Sequence, residues 1–79
     1  MSTEVRLPQW GTGILEGTFA EWFKEVGDKV EQGEDLAEVE TDKVTSTLEA
    51  PVTGTLTEIR VPVGETAAVR EVVAIIDES

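Results

Sequence analysis

Lysines and carboxylates are the residues of this chain that most readily suggest chemistry. It has neither histidine nor cysteine. That removes the commonest general base, the commonest metal ligand and any thiolate site. A self-contained hydrolase or metalloenzyme is the least favoured class. Lys43, one of three lysines, stands in the run Glu38-Val39-Glu40-Thr41-Asp42-Lys43-Val44-Thr45. Strand-forming residues lie on both sides of Asp42-Lys43, and aspartate is a good turn former because its carboxylate can bond nearby backbone amides. Spacing alone favours an ion-paired surface lysine, a contact worth ~0–1 kcal/mol.

The elements around that lysine are organised by an internal repeat. A shift of 37 residues lays 17–40 over 54–77 without a gap. Gly17, Thr18, Glu21, Val26, Gly27, Glu34 and Ala37 meet identical residues at Gly54, Thr55, Glu58, Val63, Gly64, Glu71 and Ala74. Between them Phe19 pairs with Leu56, Trp22 with Ile59, Leu36 with Val73 and Val39 with Ile76. Two copies are too few for a solenoid and imply two similar halves sharing one core.

The repeat also resolves a helix–strand ambiguity. Phe19, Trp22, Phe23, Val26 and Val30 fit a helical stripe. The matching stretch carries Pro62 in its middle, and proline costs ~3 kcal/mol in a helix interior. If the halves share a structure, both are strands, and the broken alternation predicts a bulge near Glu21 and Glu58. Val5 to Leu7, Leu36 to Val39, Val44 to Leu48 and Val72 to Ile76 read as further strands. Turn signals recur at Gly11-Thr12-Gly13, Gly27-Asp28, Gly33-Glu34, Pro51 and Gly64-Glu65. Short strands between regular turns predict an all-β sandwich or small barrel. The stretch 41–53 joins the halves, so a turn at 42–43 is the expected protruding tip, with the termini at the other end.

Composition bounds the rest. The chain has 79 residues, one domain (1–79), in which only ~60% of the unfolded surface can be buried. Asp and Glu number 17 against 6 Lys and Arg, a net charge of −11. That sign opposes nucleic acid and anionic membrane surfaces. It fits either simple solubility or steering toward basic partners. No segment approaches the ~20 apolar residues of a membrane span, and Met1-Ser2-Thr3-Glu4 is no signal peptide. A cytoplasmic setting is expected, or the mitochondrial matrix if the source is eukaryotic.

The stretch Glu38–Val44 resembles the lipoylation motif of 2-oxo acid dehydrogenase acyltransferase (E2) subunits. Glu16-Gly17-Thr18, Glu21-Trp22, Val26-Gly27-Asp28-Lys29-Val30, Gly33-Glu34 and Ala50-Pro51-Val52-Thr53-Gly54 match the same family's pattern in order, from about Val5 to Asp77. The resemblance implies a flattened barrel of two four-stranded antiparallel sheets with pseudo-twofold symmetry. It implies a non-catalytic carrier with lipoate in amide linkage on Lys43, at the tip of the turn between the fourth and fifth strands. A lipoate ligase or octanoyltransferase would load it. A thiamine-diphosphate-dependent dehydrogenase (E1) would acylate it, an acyltransferase core (E2) would unload it, and dihydrolipoamide dehydrogenase (E3) would reoxidise it.

The resemblance makes Glu40, Thr41, Asp42 and Val44, with Trp10 and Gly11 of the first surface loop, turn and partner-recognition residues. Each has a plainer reading: Asp42 shapes the turn, Val44 begins a strand, Glu40 is solvated and Trp10 caps the core. Trp22 is expected in the core, and Gly17 and Gly54 at points of close packing or unusual backbone angles. A biotin carrier shares the expected fold, but its lysine is typically flanked by methionines, and here the only methionine is Met1. The glycine-cleavage carrier is usually longer. An unmodified β-barrel adaptor using its acidic face is the rival from another class. Pro8-Gln9-Trp10-Gly11 resembles acetoin-type acyltransferases, so the resemblance leaves the 2-oxo acid, or acetoin, open.

Overall fold

The computed structural model describes residues 1–78. Eight strands form: β1 (Ser2–Arg6), β2 (Glu16–Trp22), β3 (Lys29–Val30), β4 (Asp35–Glu40), β5 (Thr45–Glu49), β6 (Gly54–Ile59), β7 (Thr66–Ala68) and β8 (Val72–Asp77). They make two antiparallel four-stranded sheets, ordered β1-β8-β6-β3 and β5-β4-β2-β7. Exchanging β4 with β8, β2 with β6, β3 with β7 and β5 with β1 converts one order into the other. The pseudo-twofold expected from the repeat is therefore a property of the topology.

The repeated residues hold equivalent posts in the two halves. The Phe19 amide donates to Glu65 O and the Leu56 amide to Asp28 O, both at 2.9 Å. The Glu34 carboxylate accepts from the Glu31 amide, as Glu71 accepts from Ala68, again both at 2.9 Å. Gly27 and Gly64 turn the chain with φ of 100° and 91°. Ala37 and Ala74 are fully buried between the sheets with Phe19, Leu36, Val39, Leu56, Val73 and Ile76. Pairing slips one residue between Phe19 and Glu21 and again between Leu56 and Glu58, so the two expected bulges are present.

Two expectations need correction. The apolar stripe 19–30 is not one strand: β2 ends at Trp22, a turn follows, and Val26 and its counterpart Val63 are 58% and 57% exposed. Phe23 is exposed too, because its amide bonds Leu36 O at the point where the chain leaves the sheet. Trp22 is only partly buried. It stacks on Phe19 at 5.1 Å between ring centroids, while its indole N–H reaches out to Val61 O at 2.8 Å. A ring with one polar edge settles at the margin of a core.

At one position the halves differ chemically. Gly33 has φ 86°; its counterpart Arg70 has φ 74°, with the amides bonded to Ala50 O and Leu7 O in turn. An L-residue pays roughly 1–2 kcal/mol in this left-handed region, partly offset by the ~0.5–1 kcal/mol that glycine loses in backbone freedom. Arg70→Gly is expected to raise stability by about 0.5 kcal/mol, whereas Gly33→Ala costs about 1 kcal/mol. Urea midpoints check both, and a lower midpoint for Arg70→Gly would contradict the strain argument.

Candidate functional site

Lys43 stands at the apex of the turn that joins β4 to β5. Glu40 and Thr45 are the last paired residues of the two strands, and the Thr41 amide donates to Val44 O at 2.9 Å. That leaves Asp42 and Lys43 as the two central residues. Tight two-residue hairpins usually need left-handed backbone, which favours Asn-Gly or Asp-Gly. Neither Asp42 nor Lys43 has a positive φ. The Thr41 hydroxyl closes the turn instead, donating to Val44 O at 2.7 Å and accepting from the Val44 amide at 3.1 Å.

The turn former is thus Thr41 rather than Asp42. The Asp42 side chain is exposed and takes no hydrogen bond among the described residues. Thr41→Val is expected to cost about 1 kcal/mol, as for a typical lost hydrogen bond, while Thr41→Ser keeps the stability. Denaturant titration of the two variants checks this, and a loss in Thr41→Ser with none in Thr41→Val would mean the methyl group, not the hydroxyl, matters.

Nor is Lys43 the ion-paired surface lysine that spacing alone favours. Lys24 is such a lysine: its amine lies 2.7 Å from Glu34, and that hydrogen bond raises its pKa above the ordinary lysine value while lowering that of Glu34. Among the described residues Lys43 makes no ion pair. Lys29 makes none either, but it sits on the two-residue edge strand β3 rather than at a turn apex.

The first surface loop comes to the same end of the molecule. A Cβ placed on Gly13 would lie 3.8 Å from the Lys43 Nζ. Gly17, at the start of β2, packs its backbone so closely that a Cβ there would meet Val39 Cγ1 at 2.5 Å and the Thr41 methyl at 3.6 Å. The β1–β2 connection and the lysine turn are therefore held side by side by backbone packing. Gly17 and its counterpart Gly54 are needed for that closeness, not for a left-handed backbone, since neither has a positive φ.

Of the residues singled out from sequence, Glu40, Asp42 and Val44 are exposed, and Thr41 is partly so. Trp10 is partly buried against the core, as its reading as a cap expects, and Gly11 lies beside it, accepting the Ile14 amide. One residue escaped notice. Leu15 is 71% exposed just before β2, two residues after Gly13, and with half-exposed Val44 it adds apolar surface near the lysine. An alternating pattern cannot reveal it, because Leu15 precedes the strand.

Known proteins share the sequence pattern and the fold of this chain. A family model described as "Biotin-requiring enzyme" matches residues 3–76. The chain belongs to the biotinyl/lipoyl-attachment family. Members hold biotin or lipoate covalently. The chain is 45% identical, over 95% of its length, to the dihydrolipoyllysine-residue succinyltransferase component of the 2-oxoglutarate dehydrogenase complex of Bacillus subtilis. It is 42% identical, over its whole length, to the dihydrolipoyllysine-residue acetyltransferase component of the pyruvate dehydrogenase complex of Corynebacterium glutamicum. It spans only 18% and 12% of those two proteins. The lipoyl domain of the Azotobacter vinelandii 2-oxoglutarate dehydrogenase complex superposes with a TM-score of 0.76 at 30% identity, covering 96% of both chains. The Kluyveromyces lactis urea carboxylase matches with a TM-score of 0.81 at 22% identity over 98% of this chain and 6% of that one, a likeness of fold. Within the biotinyl/lipoyl-attachment family this chain is a carrier domain of the E2 lipoyl type.

Proposed function

We propose that Lys43 carries a lipoyl group in amide linkage, and that the domain shuttles acyl groups and reducing equivalents among the active sites of a 2-oxo acid or acetoin dehydrogenase complex. The observation that carries this reading is the lysine itself: an amine without an ion partner among the described residues, at the apex of a turn closed by Thr41. The relatives' names point to lipoate rather than biotin. The flanks, Asp42 and Val44, agree, since biotin carriers typically place methionine on both sides.

The residues present fit such a group. A modifying ligase or octanoyltransferase must reach the amine, and a rigid exposed turn offers it. Bound lipoate supplies a dithiolane that accepts acyl groups and electrons, chemistry that belongs to the cofactor. The chain's own part is presentation. Thr41 holds the backbone on either side of Lys43, so the amine projects from a fixed point. Asp42 and Val44, exposed on both flanks, with Trp10 and Gly11 of the neighbouring loop and Glu40 at the end of β4, form the surface an approaching enzyme meets.

The expected partners are E1, the E2 acyltransferase core and E3. Tethering the domain to them would raise the arm's effective concentration at each site to roughly the millimolar range. The net charge of −11 favours partners with basic surfaces around their active-site entrances.

Loading in parallel with lipoate and a lipoate ligase, and with biotin and a biotin ligase, tests the reading by intact mass. A single lipoyl addition and no biotin addition is expected. Efficient biotinylation without lipoylation would transfer the chain to the biotin carriers. Reductive acylation of the loaded domain by a panel of E1 dehydrogenases then identifies the 2-oxo acid.

A further inference from the structure

An open, mostly apolar groove lies along β5, the strand that leaves the lysine turn. It runs between β1 and β5, which are the edge strands of the two sheets. Val5 and Leu48, each 2% exposed, form its floor, and Pro8, Trp10 and Pro51 stand around it, with Thr47 toward the turn. The rim charges of Glu4 and Arg6 neutralise one another at 2.7 Å, and exposed Glu49 leaves one negative charge at the rim. Its volume of ≈ 270 Å³ is just under the ~300–1,000 Å³ of small-molecule sites. That suits a single slender apolar chain.

We propose that this groove is the resting place of the arm on Lys43, with Trp10 as its wall. The inference rests on the lipoyl reading above and adds a site for the arm on the carrier itself. Reach supports it. The Lys43 Nζ leans toward the first loop, 3.8 Å from where a Cβ on Gly13 would stand. Trp10 is three residues up that loop, so its Cα is at most about 11 Å from that of Gly13 at 3.8 Å per step. Thr47 is four residues down the chain from Lys43, at most about 14 Å away at ~3.4 Å per residue. An acyl chain the length of octanoyl, with bonds of about 1.5 Å, adds on the order of 10 Å beyond Nζ. The lysine side chain itself spans about 6 Å from Cα to Nζ, so side chain and acyl chain together reach about 16 Å from the Lys43 Cα, beyond the limit of about 14 Å for Thr47 at the near end of the groove.

The chemistry supports it as well. The arm is a run of methylenes ending in an apolar ring, and in water it gains by covering the exposed edges of Pro8, Trp10 and Pro51. The groove is open along its length, so the docked arm exchanges with an extended one and stays available to partner sites.

Nuclear Overhauser spectroscopy on the unloaded, octanoylated and lipoylated domain tests the proposal. Loading is done with a lipoate ligase and either octanoate or lipoate, and intact mass with peptide mapping first establishes the site of addition. Expected are Overhauser contacts from arm methylenes to the Trp10 ring and a shift of the Trp10 indole resonance. Trp22, whose N–H is tied to Val61 O, serves as an internal control that does not shift. Thr47→Glu, at an exposed position, is expected to abolish the contacts without unfolding the domain. A domain loaded at Lys43 whose arm shows no contact with Trp10 overturns the groove proposal and leaves the lipoyl reading standing. A domain that takes no group at Lys43 overturns both.

Discussion

Lys43→Arg is expected to abolish loading completely, with no lipoyl addition detectable by intact mass, while the backbone spectrum of the domain stays that of the parent. Arginine keeps the charge, the length and the exposure of the side chain, but its guanidinium does not serve as the acyl acceptor that a lysine amine does. The substitution should cost little stability, because Lys43 makes no ion pair among the described residues and its side chain is exposed. Loss of loading with an intact fold separates the modification from the scaffold. Residual addition at Lys24 or Lys29 would mean that the turn does not select its lysine. Lys24 is the harder of the two to reach, since Glu34 holds its amine at 2.7 Å.

Gly54→Ala is expected to produce the largest loss of stability of any single methyl addition to the domain. A Cβ at Gly54 would lie 2.3 Å from Asp77 O, 2.9 Å from Asp77 C and 2.8 Å from Ile76 Cγ2. Two of those three atoms are backbone in β8, a central strand whose Asp77 pairs with Ser2 on one side and Thr55 on the other. The strand cannot retreat without disturbing both neighbours. Overpacking of this kind costs about 3 kcal/mol. In a domain of this size that lowers Tm by roughly 12–24 °C, at 4–8 °C per kcal/mol. Gly17→Ala makes the equivalent change in the other half, but its one severe contact, 2.5 Å, is with a methyl of Val39. A side chain can shift where backbone cannot, so its cost should be nearer 1–2 kcal/mol. Thermal unfolding of the pair checks the ranking, and a Gly17→Ala variant less stable than Gly54→Ala would contradict the backbone argument.

Most of the fold was legible because it is built twice. Matching Gly17 to Gly54 and Leu36 to Val73 amounts to matching β2 to β6 and β4 to β8, which is how the sheets are related. Pro62 ruled out a helix in one half and, through the repeat, in the other. The broken alternation at Glu21 and Glu58 marked two real bulges.

What stayed hidden depended on geometry between distant residues or on polar atoms whose partners no pattern names. The turn around Lys43 offered both a carboxylate at Asp42 and a hydroxyl at Thr41 as closing groups; only the coordinates show the hydroxyl bonded across the turn to Val44. Trp22 has the hydrophobicity of a core residue, yet its N–H draws it to the margin, where Val61 O accepts. Phe23, Val26 and Val63 are apolar but sit in or beside turns, so their hydrophobicity misleads. The nearness of Gly13 to Lys43 joins residues thirty apart in sequence and follows from the packing of Gly17 against β4.

The most direct test of the central claim is fragmentation mapping of the modified residue in the protein isolated from its own cells. A lipoyl group in amide linkage on Lys43, and on no other lysine, is the expected result. Biotin at Lys43, or lipoate at Lys24 or Lys29, would contradict it.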